Sequence, residues 1–144
     1  MSGALKIELG RRYRFAASHR LHSPHLSEEE NCRVFGKCNN PYGHGHNYVL
    51  EVTLEGEPDP VTGMVLDLKK LKELVQDEVV EKYDHRFLNF EVPPFDHVVP
   101  TPENIAIDVW GRLKPHLAGN GVRLHGVRVY ETSDLYVDYF GESA

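Results

Sequence analysis

The chain holds nine histidines, and five of them fall in two short runs, His19-Arg20-Leu21-His22-Ser23-Pro24-His25 and His44-Gly45-His46. Residues two apart in an extended chain project to one face, roughly 7 Å apart by strand rise, so the imidazoles of His44 and His46 can reach one metal ion. A third ligand must come from elsewhere. His19 ends an extended segment that a hairpin would lay beside His44-Gly45-His46, and it is the preferred candidate. His22 and His25 compete for the place, although they follow Leu21 and Ser23-Pro24, where the extended run is expected to have ended. Three neutral imidazoles with an open position describe a catalytic rather than a structural zinc site. Taken alone, His-x-His is short and equally reads as two polar residues at a strand end; its weight comes from His19 and from a thiol six residues before His44.

That thiol is Cys38, in the run Phe35-Gly36-Lys37-Cys38-Asn39-Asn40-Pro41, with Lys37 adjacent and Arg33 near in sequence. An electropositive setting favours a thiolate, and a thiolate can abstract or return a proton. Cys32, without glycines or ligands beside it, is expected to be a buried, inert thiol. Two cysteines are too few for a disulfide framework. Asp84-His85 closes a predicted helix. The helix dipole stabilises an imidazolium there, while an Asp-His pair also suits proton relay, and adjacency in sequence suggests that the two side chains point apart. Spacing does not choose between these uses.

Several elements must position these groups. Residues 6–17 read as a first strand with Gly10 as a candidate bulge, and Tyr48 to Glu55 as a second, with Tyr48, Leu50, Val52 and Leu54 on one face. Asp67 can cap a helix carrying Leu68, Leu71, Val75 and Val79 and ending near Tyr83. Thr101-Pro102-Glu103 starts a second helix with Ala106, Trp110, Leu113 and Leu117 as its buried stripe. After Gly119 and Gly121 come two strands, one around Val127 and Val129, one over Leu135, Val137 and Tyr139. The order ββααββ predicts an α+β fold, a four-stranded antiparallel sheet under two helices, in one domain over residues 1–144. Its second face and both edges would be more comfortable in an oligomer.

Charge narrows the function. With 16 Lys and Arg against 22 Asp and Glu the net charge is −6, which disfavours a nonspecific grip on nucleic acid or anionic lipid. An anionic substrate would need a local basic pocket, for which Arg20, Arg33 and Lys37 are candidates. The N-terminus lacks the apolar core of a signal peptide and no stretch approaches the roughly 18 apolar residues of a membrane span, so a cytoplasmic location is expected.

The run AASHRLHSPHLSEEENCRVFGKCNNPYGHGHNY, followed in order by GEPDPVTGMVLDLKKLK, YDHRFLN, PTPENIA and VYET, resembles the 6-pyruvoyltetrahydropterin synthase family over nearly the whole chain. The resemblance implies a tunnelling fold, in which three ββααββ subunits join into a twelve-stranded barrel and two trimers stack as a homohexamer. It implies Zn2+ on His19, His44 and His46, Cys38 with Asp84 and His85 as catalytic groups, Glu131 as the pterin anchor, and active sites between subunits. The implied reaction takes 7,8-dihydroneopterin triphosphate to 6-pyruvoyltetrahydropterin and triphosphate, without an external redox cofactor. A sister class, 6-carboxytetrahydropterin synthase of the queuosine and deazaguanine pathway, uses the same substrate, fold, zinc and thiol but releases acetaldehyde. In that class the thiol typically stands four residues before the His-Gly-His pair, and here it stands six before, which looks more like the pyruvoyl form. Cys32 is outside the family pattern, and AGNGVRLHG is slightly long. A zinc- and pterin-binding protein without catalysis is the non-enzymatic alternative, and intact Cys38, Asp84 and His85 count against it.

Overall fold

The computed structural model describes residues 6–119 and 121–142; the first residues of the N-terminal stretch and of the domain expected over 1–144 lie outside them. Strand β1 (Ile7–His19) and strand β2 (His44–Gly56) pair antiparallel over their full lengths, from Ile7 opposite Gly56 to His19 opposite His44. The alternation predicted for β2 holds: Tyr48, Leu50, Val52 and Leu54 are fully buried, facing Tyr13, Phe15 and Ala17 of β1. Gly10 sits in unbroken register opposite Thr53, so no bulge occurs there. The irregularity lies one strand away, where β4 (Val122–Tyr130) pairs with β2 and the register shifts between Thr53 and Leu54.

Helix α2 runs over residues 68–83, with a π turn at Gln76–Val80 and a side-chain cap from Asp67 to the Lys69 N–H. Leu71, Val75 and Val79 are buried as the spacing predicts, whereas Leu68, in the first turn, is exposed. The fourth helix (Pro102–Leu117) starts at Thr101, whose hydroxyl accepts from the Asn104 N–H, with proline in the first turn. Its Ile105, Ala106, Val109, Leu113 and Leu117 are buried, and Trp110 is partly covered, edge-on to Tyr139. Tyr83 of α2 donates to Asp108 of this helix, which also accepts from Arg112 at 2.7 Å. Both long helices share one apolar core with the inner face of the sheet.

Three elements depart from the expected ββααββ pattern. The sheet has five strands, in the order β3-β1-β2-β4-β5, and is mixed: β3 (Arg86–Phe87) lies parallel to β1 at Ala17 and Ser18, while β5 (Tyr136–Tyr139) is antiparallel to β4. A two-residue strand is too short to carry a period. Helix α1 (Glu28–Phe35) fills the connection between β1 and β2, announced only by a capping box in which Ser27 and Glu30 satisfy each other's backbone N–H groups. Helix α3 (Leu88–Glu91) is a single turn after β3. Among the described residues no helix is long and apolar enough to cross a membrane.

Gly43 has φ 73°, and a Cβ there would meet the Phe87 ring at 2.6 Å. Gly63 has a similar φ of 75° and open space around it. Gly43→Ala is therefore expected to cost about 1–2 kcal/mol for the left-handed backbone plus a steric term, and Gly63→Ala the backbone term alone. Denaturant midpoints of the two variants measure the difference.

Candidate metal centre and the Asp-His pair

The β1–β2 register places His19 opposite His44 and Ala17 opposite His46. His19, His44 and His46 offer ring nitrogens that all lie within 4.8 Å of one another. His19 is completely buried. Its Nδ1–H donates to the Pro100 carbonyl at 2.8 Å, which leaves a lone pair on Nε2, the tautomer a metal requires. Nε2 of His19 stands 3.1 Å from Nε2 of His44. Two imidazole nitrogens this close need a proton or a cation between them, and ligands about 2.0–2.1 Å from a tetrahedral zinc would stand about 3.3 Å apart.

Two further observations fit a cation. Nε2 of His46 and Oε2 of Glu131 are buried without a hydrogen-bond partner. The Glu131 carboxylate reaches the same cluster, with Oε1 3.7 Å from Nε2 of His46 and Oε2 4.0 Å from Nε2 of His19. Burial pushes the His19 imidazole down to about 4, so the ring is neutral near pH 7. Burial also lowers His46, against the opposing pull of Glu131. The donor set is three imidazoles of borderline softness with a carboxylate alongside, which suits zinc. Tyr48 completes the surroundings: its hydroxyl lies 3.2 Å from Nδ1 of His19, and burial together with the Glu131 charge raises the phenol well above its usual range.

The rival ligands stand elsewhere. His22 Nδ1 is 3.1 Å from the Asn39 side-chain amide, and His25 is exposed. Arg20 is committed as well, its Nε donating to the Asn39 carbonyl and its N–H to the Asn89 side chain. Arg33 lies 4.0 Å from Glu30.

Asp84 and His85 are in direct contact, contrary to the expectation that neighbours in sequence point apart. His85 has φ 61°, a left-handed conformation that swings its ring back until Nδ1 is 3.0 Å from Oδ2 of Asp84. The segment is tied to β1 through both backbone groups of one residue: Ala16 N–H donates to Oδ1 of Asp84 at 2.9 Å, and His85 N–H donates to the Ala16 carbonyl at 2.6 Å. The Ala16 N–H, then His85, hold the Asp84 carboxyl below its ordinary range. The His85 ring itself is 83% exposed. It lines, with His46, Gly45, Ser18 and Ala16, a cleft of about 340 Å³.

Cys38 is half-buried in a 3₁₀ turn (Gly36–Asn39), where its carbonyl accepts from the Leu21 N–H at 2.9 Å. It does not line the cleft that holds His46 and His85. Cys32 is exposed on α1 rather than buried, because the face of α1 turned inward is occupied by Asn31. The sequence reading missed Tyr48 and Pro100 as partners of His19. Tyr48 carried a signal, lying two residues beyond His46 on the same strand face; a backbone carbonyl at residue 100 carries none.

Comparison with known proteins places these residues in context. The family model described as 6-pyruvoyl tetrahydropterin synthase matches residues 8–142. The human 6-pyruvoyl tetrahydrobiopterin synthase is 50% identical over 137 residues, 95% of this chain and 93% of its own. An Archaeoglobus fulgidus relative that carries the provisional name 6-carboxy-5,6,7,8-tetrahydropterin synthase is 38% identical over 95 residues, 66% of this chain and 73% of its own. Among solved structures, that of Caenorhabditis elegans 6-pyruvoyl tetrahydropterin synthase superposes with a TM-score of 0.92 at 43% identity, covering 99% of this chain and all of that one.

His44→Ala is expected to abolish stoichiometric zinc binding, while His22→Ala leaves one zinc per chain. Elemental analysis after dialysis against a weak chelator distinguishes the two, and full zinc retention in His44→Ala would remove His44 from the site.

Proposed function

The chain belongs to the 6-pyruvoyl tetrahydropterin synthase family, and from that premise we propose that it is a zinc-dependent lyase converting 7,8-dihydroneopterin triphosphate to 6-pyruvoyltetrahydropterin and triphosphate. The observation that carries this reading is the convergence of His19, His44 and His46 beside Glu131, with His19 held in its metal-binding tautomer by the Pro100 carbonyl.

The residues divide the work by their chemistry. His19, His44 and His46 hold the zinc. When bound, it supplies Lewis acidity that makes the carbon-bound hydrogens next to the substrate's side-chain oxygens easier to remove. Cys38, as thiolate, takes and returns those protons. Asp84 fixes the orientation of His85, and His85 passes protons between the thiol and the substrate oxygens. Glu131 accepts two parallel hydrogen bonds from the amino group and ring N–H of the pterin, a bidentate match that selects this heterocycle. Elimination breaks the carbon–oxygen bond to the triphosphate, which leaves with the bonding pair, and hydrogen shifts along the side chain reduce the ring as they oxidise the side chain. No external oxidant is required.

Cys38 and His85 lie on different elements, and the ring of His85 faces outward. A homohexamer built as two trimers, each closing its sheets into a barrel, would let the Asp84-His85 pair of one subunit serve the thiol of another. The six-residue spacing from Cys38 to His44 supports the pyruvoyl product over the carboxy product. A cytoplasmic location goes with this assignment.

Anaerobic incubation of the zinc-loaded protein with 7,8-dihydroneopterin triphosphate is expected to give the pyruvoyl product without acetaldehyde, identified by mass spectrometry. A 6-carboxy product with acetaldehyde would move the chain to the sister activity, and no conversion would favour a binding protein. Cys38→Ala is expected to keep its zinc and lose turnover by about 10²–10⁴-fold, the range a positioned acid-base group contributes; an active Cys38→Ala enzyme would sink the mechanism.

A further inference from the structure

The sheet face turned away from the helices carries a cleft of about 440 Å³, lined by Arg12, Arg14, Asn47, Val49, Tyr130, Thr132 and Ser133. Its charges are unbalanced. Arg12 is paired with Glu51 at 2.9 Å, and Arg128, which faces the same tyrosine, is paired with Asp138 at 2.7 Å. Arg14, exposed beside them, has no hydrogen-bond or ion-pair partner among the described residues. A chain of net charge −6 thus presents one uncompensated guanidinium in a concave site.

Hydrogen-bond donors surround it. The Thr132 oxygen already accepts from the N–H groups of Asp134 and Leu135, both at 3.2 Å, so its own O–H remains to be given. The side chains of Asn47 and Ser133 add further donors at the rim. An arginine fork with hydroxyl and amide donors and no opposing carboxylate fits a phosphate oxygen.

Position links this cleft to the candidate metal centre. The β2–β4 ladder ends at Val49 opposite Tyr130. Beyond it the chain of β4 turns away, the Glu131 N–H bonding to the Leu135 carbonyl, while β2 continues back to His44. Residues 44–47 therefore have no ladder on that side, and the sheet is split between them and the turn over 131–135. Glu131 and His46 stand on the core side of the split; Thr132 and Asn47, the next residue of each, border the cleft on the other. A substrate whose ring lay at Glu131 would have to carry its anionic tail past this margin of the sheet to reach Arg14.

We propose that this cleft is the subsite for the triphosphate of the substrate, with Arg14 as its charged ligand and the Thr132 hydroxyl as a donor beside it. The proposal rests on the pterin-triphosphate reading above. It sets aside Arg20, Arg33 and Lys37, the candidates drawn from sequence; the first two have partners of their own.

The test titrates the full-length, zinc-loaded protein with inorganic triphosphate and, separately, with 7,8-dihydroneopterin lacking phosphate. Arg14→Gln is expected to weaken triphosphate binding about tenfold, the loss typical of a charge-assisted hydrogen bond, with pterin binding and zinc content unchanged. Thr132→Val should weaken triphosphate alone by a smaller factor, and Arg14→Lys should recover part of the loss. Unchanged triphosphate affinity in Arg14→Gln overturns the subsite, and so does an equal loss for the unphosphorylated pterin, which would mark a structural effect. If the wild-type protein converts no dihydroneopterin triphosphate yet binds inorganic triphosphate through Arg14, the activity fails and the anion site stands.

Discussion

The pairing register of β1 against β2 is the constraint on which the candidate site depends. Side chains alternate along a strand, so a slip of one residue would send His19 to the open face while leaving His44 and His46 in place. One exposed ion pair, Arg12 opposite Glu51 at 2.9 Å, adds little to that register. The register is set by Tyr13, Phe15 and Ala17 meeting Tyr48, Leu50 and Val52, with the rings of Phe15 and Tyr48 stacked at 5.0 Å. Each of the larger side chains among them contributes about 1.5–3 kcal/mol by leaving water. The geometry at one end of the hairpin is therefore held by hydrophobic burial along its middle.

Where that apolar face ends, the same alternation continues with polar groups. His19 follows Ala17, His46 precedes Tyr48, and Glu131 follows Val129. The positions remain core-facing, so imidazoles and a carboxylate are carried into a place where water is scarce. A buried group without a partner costs about 1–3 kcal/mol, and two such atoms, Nε2 of His46 and Oε2 of Glu131, face one region. A bound cation would offset both at once. Its binding would be coupled to folding through these atoms, since the unfolded chain has neither the register nor the orphaned groups.

Much of this was legible in the sequence because it follows from period two. An extended chain at His44-Gly45-His46 puts both histidines of the pair on one face, and a hairpin brings His19 to them. Helix starts at Asp67 and Thr101 were legible from capping chemistry alone. What escaped has no period. Helix α1 is marked by one Ser-x-x-Glu box, β3 spans two residues, and the Pro100 carbonyl that fixes the His19 tautomer is a backbone atom from a distant loop. The Asp84-His85 contact escaped for another reason: it depends on a left-handed φ at a histidine, a conformation that local sequence disfavours and tertiary hydrogen bonds enforce.

That conformation shows how the parts with reactive groups differ from the part that holds the metal candidate. A non-glycine residue in the left-handed region costs about 1–2 kcal/mol, and at His85 it is offset by its N–H bond to the Ala16 carbonyl and by the Asp84 carboxylate, itself held by the Ala16 N–H. The ring is thus preset in orientation while staying exposed. Cys38 is handled similarly, on a short turn pinned by the Leu21 N–H and by Asn39, whose side chain is bonded to the Leu21 carbonyl. Ligands on paired strands are fixed to within the tolerance of a sheet, which suits a metal with defined bond lengths. The groups proposed to exchange protons would need reach as well as orientation, and they sit on tethered loops at the margin of that sheet.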